Sequence, residues 1–390
     1  MSFEQIRQQE QDALLPTYGR YPVALVSGKG STAVGEDGKR YIDLGSGIGV
    51  NALGYCDEGW VQAVTQQAAT LQHTSNLYYQ PVQIEFAAAL CAASGMSKAF
   101  LCNSGAEANE CAIKVARKYS HDKYGDGRAT IITLGNSFHG RTVTTLAATG
   151  QDHFHQHFFP FTEGFVTVPA GDMQALRDAD DGSVCAVMLE CIQGEGGVIP
   201  LEKEYLQQVR ALCTEKDWLL LVDEVQTGAG RTGSFLCIEQ ADVKPDVVSM
   251  AKGLGGGLPV GACLCAASCD AVLSGGTHGS TFGGNPVVCA AGKYMLTRLT
   301  DADFLQQVRQ KGDYIRSKLA AMEGVREVRG MGLMIGIVPE KITAADAAKA
   351  CLQKGVLVLT AKTLIRLLPP LNISYQEIDT ALAVLQQVLA

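Results

Sequence analysis

The sequence predicts an α/β protein built on one open, mostly parallel sheet with helices on both faces. Three observations predict it. Short apolar runs alternate with helix-length segments from about residue 98 to residue 267. Those runs lack the apolar–polar alternation of a half-exposed strand, as expected of strands buried on both sides. One of them, Leu219-Leu220-Leu221-Val222-Asp223, ends in an acid, at the sheet edge where open α/β sheets bind ligands.

Composition bounds the rest. At 390 residues the chain has room for two or three domains, and 47% hydrophobic with 18% charged residues suits a globular enzyme. The net charge of −8 argues against a nucleic-acid or anionic-membrane surface, so an anionic ligand must be met by a few local cations. The 13 cysteines show no C-x-x-C pair, and Cys102, Cys185 and Cys263 lie in apolar strand-like runs, which reads as reduced, buried thiols. Neither a signal-peptide pattern at Met1–Gln5 nor an apolar run of membrane-spanning length is visible, and the expectation is a soluble, cytoplasmic protein.

In chain order, residues 1 to about 50 read as an arm and a small hairpin, with Pro22–Val26 and Tyr41–Leu44 flanking the turn Glu36–Lys39. Helical periodicity follows from Glu58 to Leu71, and again from Pro81, a residue suited to a first helical position. The alternating region then predicts strands at 98–102, 129–134, 183–190, 218–222, 246–250 and 259–265, with helices at 105–120 and 202–216. Beyond Thr281–Pro286 a helical region to about 322 precedes short strands at 325–338 and 356–368. Helices at about 343–354 and 375–389 complete the chain, the last opened by a capping box of Ser374 with Glu377. This pattern implies an N-terminal part of a small domain (1–50), a large domain (51–280) and the C-terminal part of the small domain (281–390).

Several residues have the means to carry chemistry. Asn103–Glu110 joins a strand to a helix, and free N–H groups with the Ser104 hydroxyl suit an anion, phosphate above all; the plainer reading is a capping box of Ser104 with Glu107. Asp223 after an apolar strand also suits the metal-binding acid of a P-loop ATPase. That reading needs G-x-x-x-x-G-K-[ST], and Ser27-Gly28-Lys29-Gly30 does not supply it. Lys252 follows the strand-like Asp246–Met250 into a glycine-rich turn, where burial would depress its pKa towards a nucleophilic amine; the plainer and commoner reading is a solvated loop lysine. Arg141, after Phe138-His139-Gly140, and Arg366 both flank apolar strand ends and suit carboxylates. His153, His155 and His157 alternate, but no carboxylate or cysteine accompanies them, and no metal site is expected.

The order of these motifs is more specific than any one of them. Asn103–Glu110, Ser137–Arg141, Leu146–Gln151, Gln193–Gly197, Asp223–Gly233, Ala251–Gly257 and Gly279–Pro286 together resemble the class III (subgroup II) pyridoxal-phosphate-dependent aminotransferases of fold type I. Within them the likeness is to the acetylornithine and ornithine branch, and it covers nearly the whole chain. Two stretches depart from the family's pattern: Cys191 stands at a usual proline, and Gly54–Glu58 replaces G-H-x-H-P. The second departure leaves the pocket entrance and the dimer contacts open.

The resemblance implies pyridoxal 5'-phosphate held covalently by Lys252, which also moves the proton, with Asp223 at the pyridine nitrogen. It implies Val225 and Phe138 on the two ring faces and Gln226 at the phenolic oxygen. Ser104, Gly105 and Ala106 would hold the phosphate, Glu224 would join the cofactor contacts, and Thr281 would reach the cofactor of a second subunit in a homodimer. Arg141 with Ser280 would grip the donor's α-carboxylate, while Glu195 neutralises Arg366 until 2-oxoglutarate brings its second carboxylate. The implied reaction moves the δ-amino group of N2-acetyl-L-ornithine to 2-oxoglutarate by a ping-pong mechanism, in arginine biosynthesis. Ornithine, succinylornithine or 4-aminobutyrate as donor stays open. An aminomutase has less use for a Glu195–Arg366 switch, and a non-catalytic relative has no need of the Asp223/Lys252 pair.

Overall fold

The computed structural model describes residues 1–390. Its main sheet has seven strands in the order Lys98–Cys102, Gly261–Cys265, Val247–Met250, Leu219–Asp223, Val184–Leu189, Thr130–Leu134 and Phe165–Val168. Six strands are parallel, and Gly261–Cys265 runs against both its neighbours. The sheet is therefore mostly parallel, as expected. The edge strand Phe165–Val168 is an addition to the expected set; two of its four residues are exposed, so it lacks the apolar run that marks the others.

Alternation of side chains across the sheet explains why these strands are apolar throughout. Leu219 and Leu221 point to one face and join Ile113 and Val115 of helix Gly105–Tyr124 in one buried cluster. Leu220 and Val222 point to the other and join the larger core with Val209 and Leu212 of helix Lys203–Lys216. Burying Leu220 and Leu221, each 1% exposed, stabilises the fold by about 2 kcal/mol apiece.

Two four-stranded sheets lie apart from the main one. In the first, Leu25–Lys29, Thr32–Gly35 and Arg40–Asp43 are joined by Val356–Leu357 from near the other chain end, parallel to Arg40–Asp43. The second comprises Val325–Met331, Met334–Pro339, Leu364–Leu367 and Leu359–Ala361. The turn at Glu36–Lys39 thus closes a hairpin of Thr32–Gly35 with Arg40–Asp43, and Leu25–Lys29 adds as a third strand. The N-terminal arm is helical over Phe3–Ala13, capped by Ser2, with no buried residue. The long helical region after Pro286 is two helices, Pro286–Leu299 and Ala302–Ala320, the second capped by Asp301. Ser374 and Glu377 form the expected capping box. No helix is long and apolar enough to cross a membrane.

Candidate active site

Register brings the two opening residues together. Strands Leu219–Asp223 and Val247–Met250 are adjacent and parallel, with Asp223 opposite Ser249, so Asp223 and Lys252 emerge on one sheet edge. Lys252 has φ +47, a left-handed conformation that costs a non-glycine residue of order 1 kcal/mol and turns the chain sharply at the strand end. Such strain concentrates at functional sites.

A cavity of about 460 Å³ opens at this edge. Nine of the residues singled out in the sequence line it: Ser104, Gly105, Ala106, Phe138, Arg141, Asp223, Val225, Gln226 and Lys252. Ser104 is the N-cap of helix Gly105–Tyr124, its hydroxyl accepting from the Glu107 N–H at 3.2 Å. The Glu107 carboxylate accepts from the Asn103 N–H at 2.6 Å rather than from the Ser104 N–H, so only half of the expected capping box forms, and the helix's remaining first-turn N–H groups have no intrahelical acceptor. Glycine is required at 105: a Cβ there would lie 2.7 Å from Cγ1 of Val225.

Asp223 is 4% exposed and firmly held. One carboxylate oxygen accepts from Asn109 Nδ2 at 2.7 Å and lies 2.9 Å from His139 Nδ1; the other accepts from the Val225 N–H at 3.0 Å. Asn109 Nδ2 also donates to the His139 carbonyl at 2.7 Å, tying the two supports together. Lys252 has its pKa lowered to about 8, chiefly because burial penalises the ammonium; Glu195 opposes this and the Arg366 charge adds to it.

Glu195 and Arg366 form an ion pair at 2.5 Å, with the Arg366 side chain 3% exposed. Arg366 Nη1 also donates to Gln226 Oε1 at 3.0 Å, so the pair reaches the cavity through Gln226. Burial raises the Glu195 pKa, but the charge and hydrogen bond of Arg366 outweigh it and hold the carboxyl below its ordinary value.

Three expected site residues lie elsewhere. Glu224 follows Asp223 directly and so points the opposite way: it is 1% exposed, and its carboxylate accepts from the Thr227 hydroxyl and from the Ile238 N–H at 2.8 Å. It ties the loop carrying Val225 and Gln226 to Ile238 and does not line the cavity. Ser280 lines a separate cavity with Asn76, Gln83 and His278, where its hydroxyl accepts from Asn103 Nδ2 at 3.2 Å and the Gly283 N–H at 2.9 Å. Within one chain it does not stand beside Arg141. Thr281 is exposed, next to Phe282 at 63% exposure, and is not part of this chain's own cavity wall.

Sequence reasoning passed over Glu190, although it ends an apolar strand as Asp223 does. Glu190 is 5% exposed and accepts from the Phe138 N–H at 3.0 Å and the Gly194 N–H at 3.4 Å. Burial, then the charge of Asp223, raises its pKa well above the ordinary value. The three alternating histidines do not converge: His153 lies tilted against Phe154, His155 Nε2 lies 2.9 Å from the Leu146 carbonyl, and His157 is exposed. No group of three or more His, Cys, Asp or Glu side chains is placed to hold a metal ion.

Solved aminotransferases share this architecture. The ornithine aminotransferase of Toxoplasma gondii ME49 aligns over 100% of this chain and 95% of its own, with a TM-score of 0.95 and 31% identity. The N-acetylornithine aminotransferase of Stenotrophomonas maltophilia K279a aligns over 98% and 97%, with a TM-score of 0.85 and 34% identity. The fold and its cleft are those of an aminotransferase. More narrowly, the chain belongs to the class-III aminotransferases, whose family model matches residues 16–389. Among its relatives, the acetylornithine aminotransferase of Haemophilus ducreyi is 50% identical over 392 aligned positions, covering 100% of both chains. That of Caldanaerobacter subterraneus is 47% identical over 98% of each.

Proposed function

We propose that this class-III enzyme is an acetylornithine aminotransferase, moving the δ-amino group of N2-acetyl-L-ornithine to 2-oxoglutarate with pyridoxal 5'-phosphate as cofactor. The products are N-acetyl-L-glutamate 5-semialdehyde and L-glutamate, in a reaction of arginine biosynthesis, and we read the enzyme as cytoplasmic. The observation that carries the reading is the opening of Asp223 and a depressed-pKa Lys252 on one sheet edge beside a helix N-terminus. The 50% identity to an acetylornithine aminotransferase over the full length narrows it.

The residues present fit pyridoxal phosphate. Asp223 is a firmly hydrogen-bonded carboxyl group for the ring nitrogen, Gly105 leaves the room that the Val225 side chain fills, and Val225 and Phe138 offer apolar surface in the same cavity. When bound, the cofactor would supply an electron sink beside the donor's reacting C–H bond and a carrier for the amino group. Asp223, held by Asn109 and His139, would pair with the ring nitrogen and favour its protonated form. Ser104, Gly105 and Ala106 bind the phosphate through a hydroxyl and backbone N–H groups. Lys252 Nζ would hold the cofactor and, once released, would serve as the base that takes the proton from the δ-carbon of the donor. Arg141 takes the α-carboxylate of the donor, which aims the distal amine at the depth of the cleft. Glu195 neutralises Arg366 during the donor half-reaction; when it swings aside, Arg366 meets the second carboxylate of 2-oxoglutarate.

A homodimer is part of the proposal. Leu77, Tyr79 and Phe282 are 88%, 96% and 63% exposed, and Asn76 Nδ2 ties their two segments together through the Ser280 and Gly283 carbonyls at 3.1 and 3.0 Å. An apolar face of this kind calls for a protein partner. A second copy covering it would carry Thr281 and Ser280 towards the neighbouring cleft.

Borohydride reduction followed by peptide mapping should fix phosphopyridoxyl on Lys252, and label on any other lysine would refute the cofactor assignment. The strong structural match to an ornithine aminotransferase makes ornithine the second reading. Initial rates with acetylornithine, ornithine, succinylornithine and 4-aminobutyrate against 2-oxoglutarate separate the donors; a preference for any but acetylornithine overturns the first choice.

A further inference from the structure

Arg141 is an exposed arginine at the cavity wall, and neither the His139–Asp223 contact nor the Arg366–Glu195 ion pair includes it. Its guanidinium instead lies over the ring of Phe154, 4.2 Å from the centroid, and 5.6 Å from that of Phe138. Phe154 belongs to a single helical turn, Asp152–Phe154, outside the cavity wall. Its ring is braced in turn by His153, whose ring centroid is 3.8 Å away, and by Phe138 edge-on at 5.6 Å. His153, Phe154 and Arg141 thus pack one against the next, the two rings tilted by 40°.

We propose that Phe154 is a positioning residue for the donor's carboxylate: its ring holds the Arg141 guanidinium by its flat face and leaves the N–H edge free to grip the carboxylate. The physical reason lies in the geometry of the guanidinium. Its donors all lie in one plane, so stacking on a ring fixes that plane without occupying any donor. An acidic neighbour would orient the group as well, but would compete with the substrate for the same N–H groups. An aromatic ledge lowers the entropic cost of ordering a long, exposed side chain and keeps its full positive charge available. The inference rests on the reading of Arg141 as the carboxylate grip, and it assigns the Asp152–Phe154 turn a part in donor selection.

The test is a double-mutant cycle of Phe154→Leu and Arg141→Ala, with Phe154→Tyr as the conservative control, all in the cofactor-loaded enzyme. Three probes are used: N2-acetyl-L-ornithine; N-acetyl-1,4-diaminobutane, which keeps the amine and acetamide and lacks the carboxylate; and N-acetyl-L-norvaline, which keeps the carboxylate and lacks the reacting amine. Phe154→Leu should raise KM for acetylornithine about two- to fivefold, the worth of an exposed cation–π contact, with kcat held within twofold. It should weaken equilibrium binding of N-acetyl-L-norvaline by the same factor and leave kcat/KM for the carboxylate-free amine unchanged. In the Arg141→Ala background it should have no further effect on any probe, and Phe154→Tyr should match the wild type. An equal loss on the carboxylate-free amine, or full additivity with Arg141→Ala, overturns the positioning role. Wild-type enzyme that uses the two amines equally well would instead overturn Arg141 as the carboxylate grip, so the two failures are told apart.

Discussion

Replacing Glu224 by glutamine should change how stability depends on pH, by an amount the structure sets. Glu224 is 1% exposed, and burial raises its pKa from 4.5 to about 7 despite hydrogen bonds from Thr227 and Ile238 that favour the anion. Below about pH 4.5 the carboxyl is protonated in both folded and unfolded chains and contributes no penalty. Between 4.5 and 7 the folded protein keeps a proton that the unfolded chain releases, so stability falls as pH rises. Above 7 both are ionised and the folded state carries the full cost of the buried charge, about 3 kcal/mol. Glutamine has nearly the same shape; its carbonyl accepts from the Ile238 N–H and its amide donates to the Thr227 hydroxyl. Glu224→Gln should therefore differ from wild type by no more than about 1 kcal/mol at pH 5 and become the more stable by about 3 kcal/mol near pH 8. The assay is urea unfolding of both proteins from pH 5 to 9 at one protein concentration with saturating cofactor. Curves that stay parallel across that range would refute the argument. A changed visible absorption band of the bound cofactor would restore Glu224 to the cofactor's contacts.

Two further outcomes follow from the cleft. Pyridoxal phosphate uptake by the apoprotein should quicken through pH 8, where Lys252 becomes the neutral amine; a midpoint near the ordinary lysine value of 10.5 would show that burial does not tune it. Glu195→Gln leaves the buried Arg366 uncompensated, so kcat/KM for acetylornithine should fall about tenfold while that for 2-oxoglutarate holds or rises. Single-turnover measurement of each half-reaction decides it, and equal losses in both would remove the switch.

Local sequence determined a great deal because its signals are local in origin. Apolar runs of strand length, the Pro81 and Pro286 helix starts and the Ser374 capping box report period, burial and caps, which depend on near neighbours. The acid ending Leu219–Asp223 and the lysine after Met250 were legible as site residues, because parallel strands put their C-terminal ends on one edge. Phe165–Val168 was not legible, since an edge strand with exposed residues has no continuous apolar run.

Tertiary structure decided what contact and direction control. It turned Glu224 away from the cleft that its neighbour Asp223 faces, and set Ser280 behind Asn103. It brought Asn109 and His139, from two different segments, onto one carboxylate oxygen. It joined Val356–Leu357 to Arg40–Asp43 across more than 300 residues, and laid Arg141 on Phe154. A sequence pattern states that a residue is to be buried or to carry charge; which partner satisfies it depends on how distant segments pack, and that information resides in the whole fold.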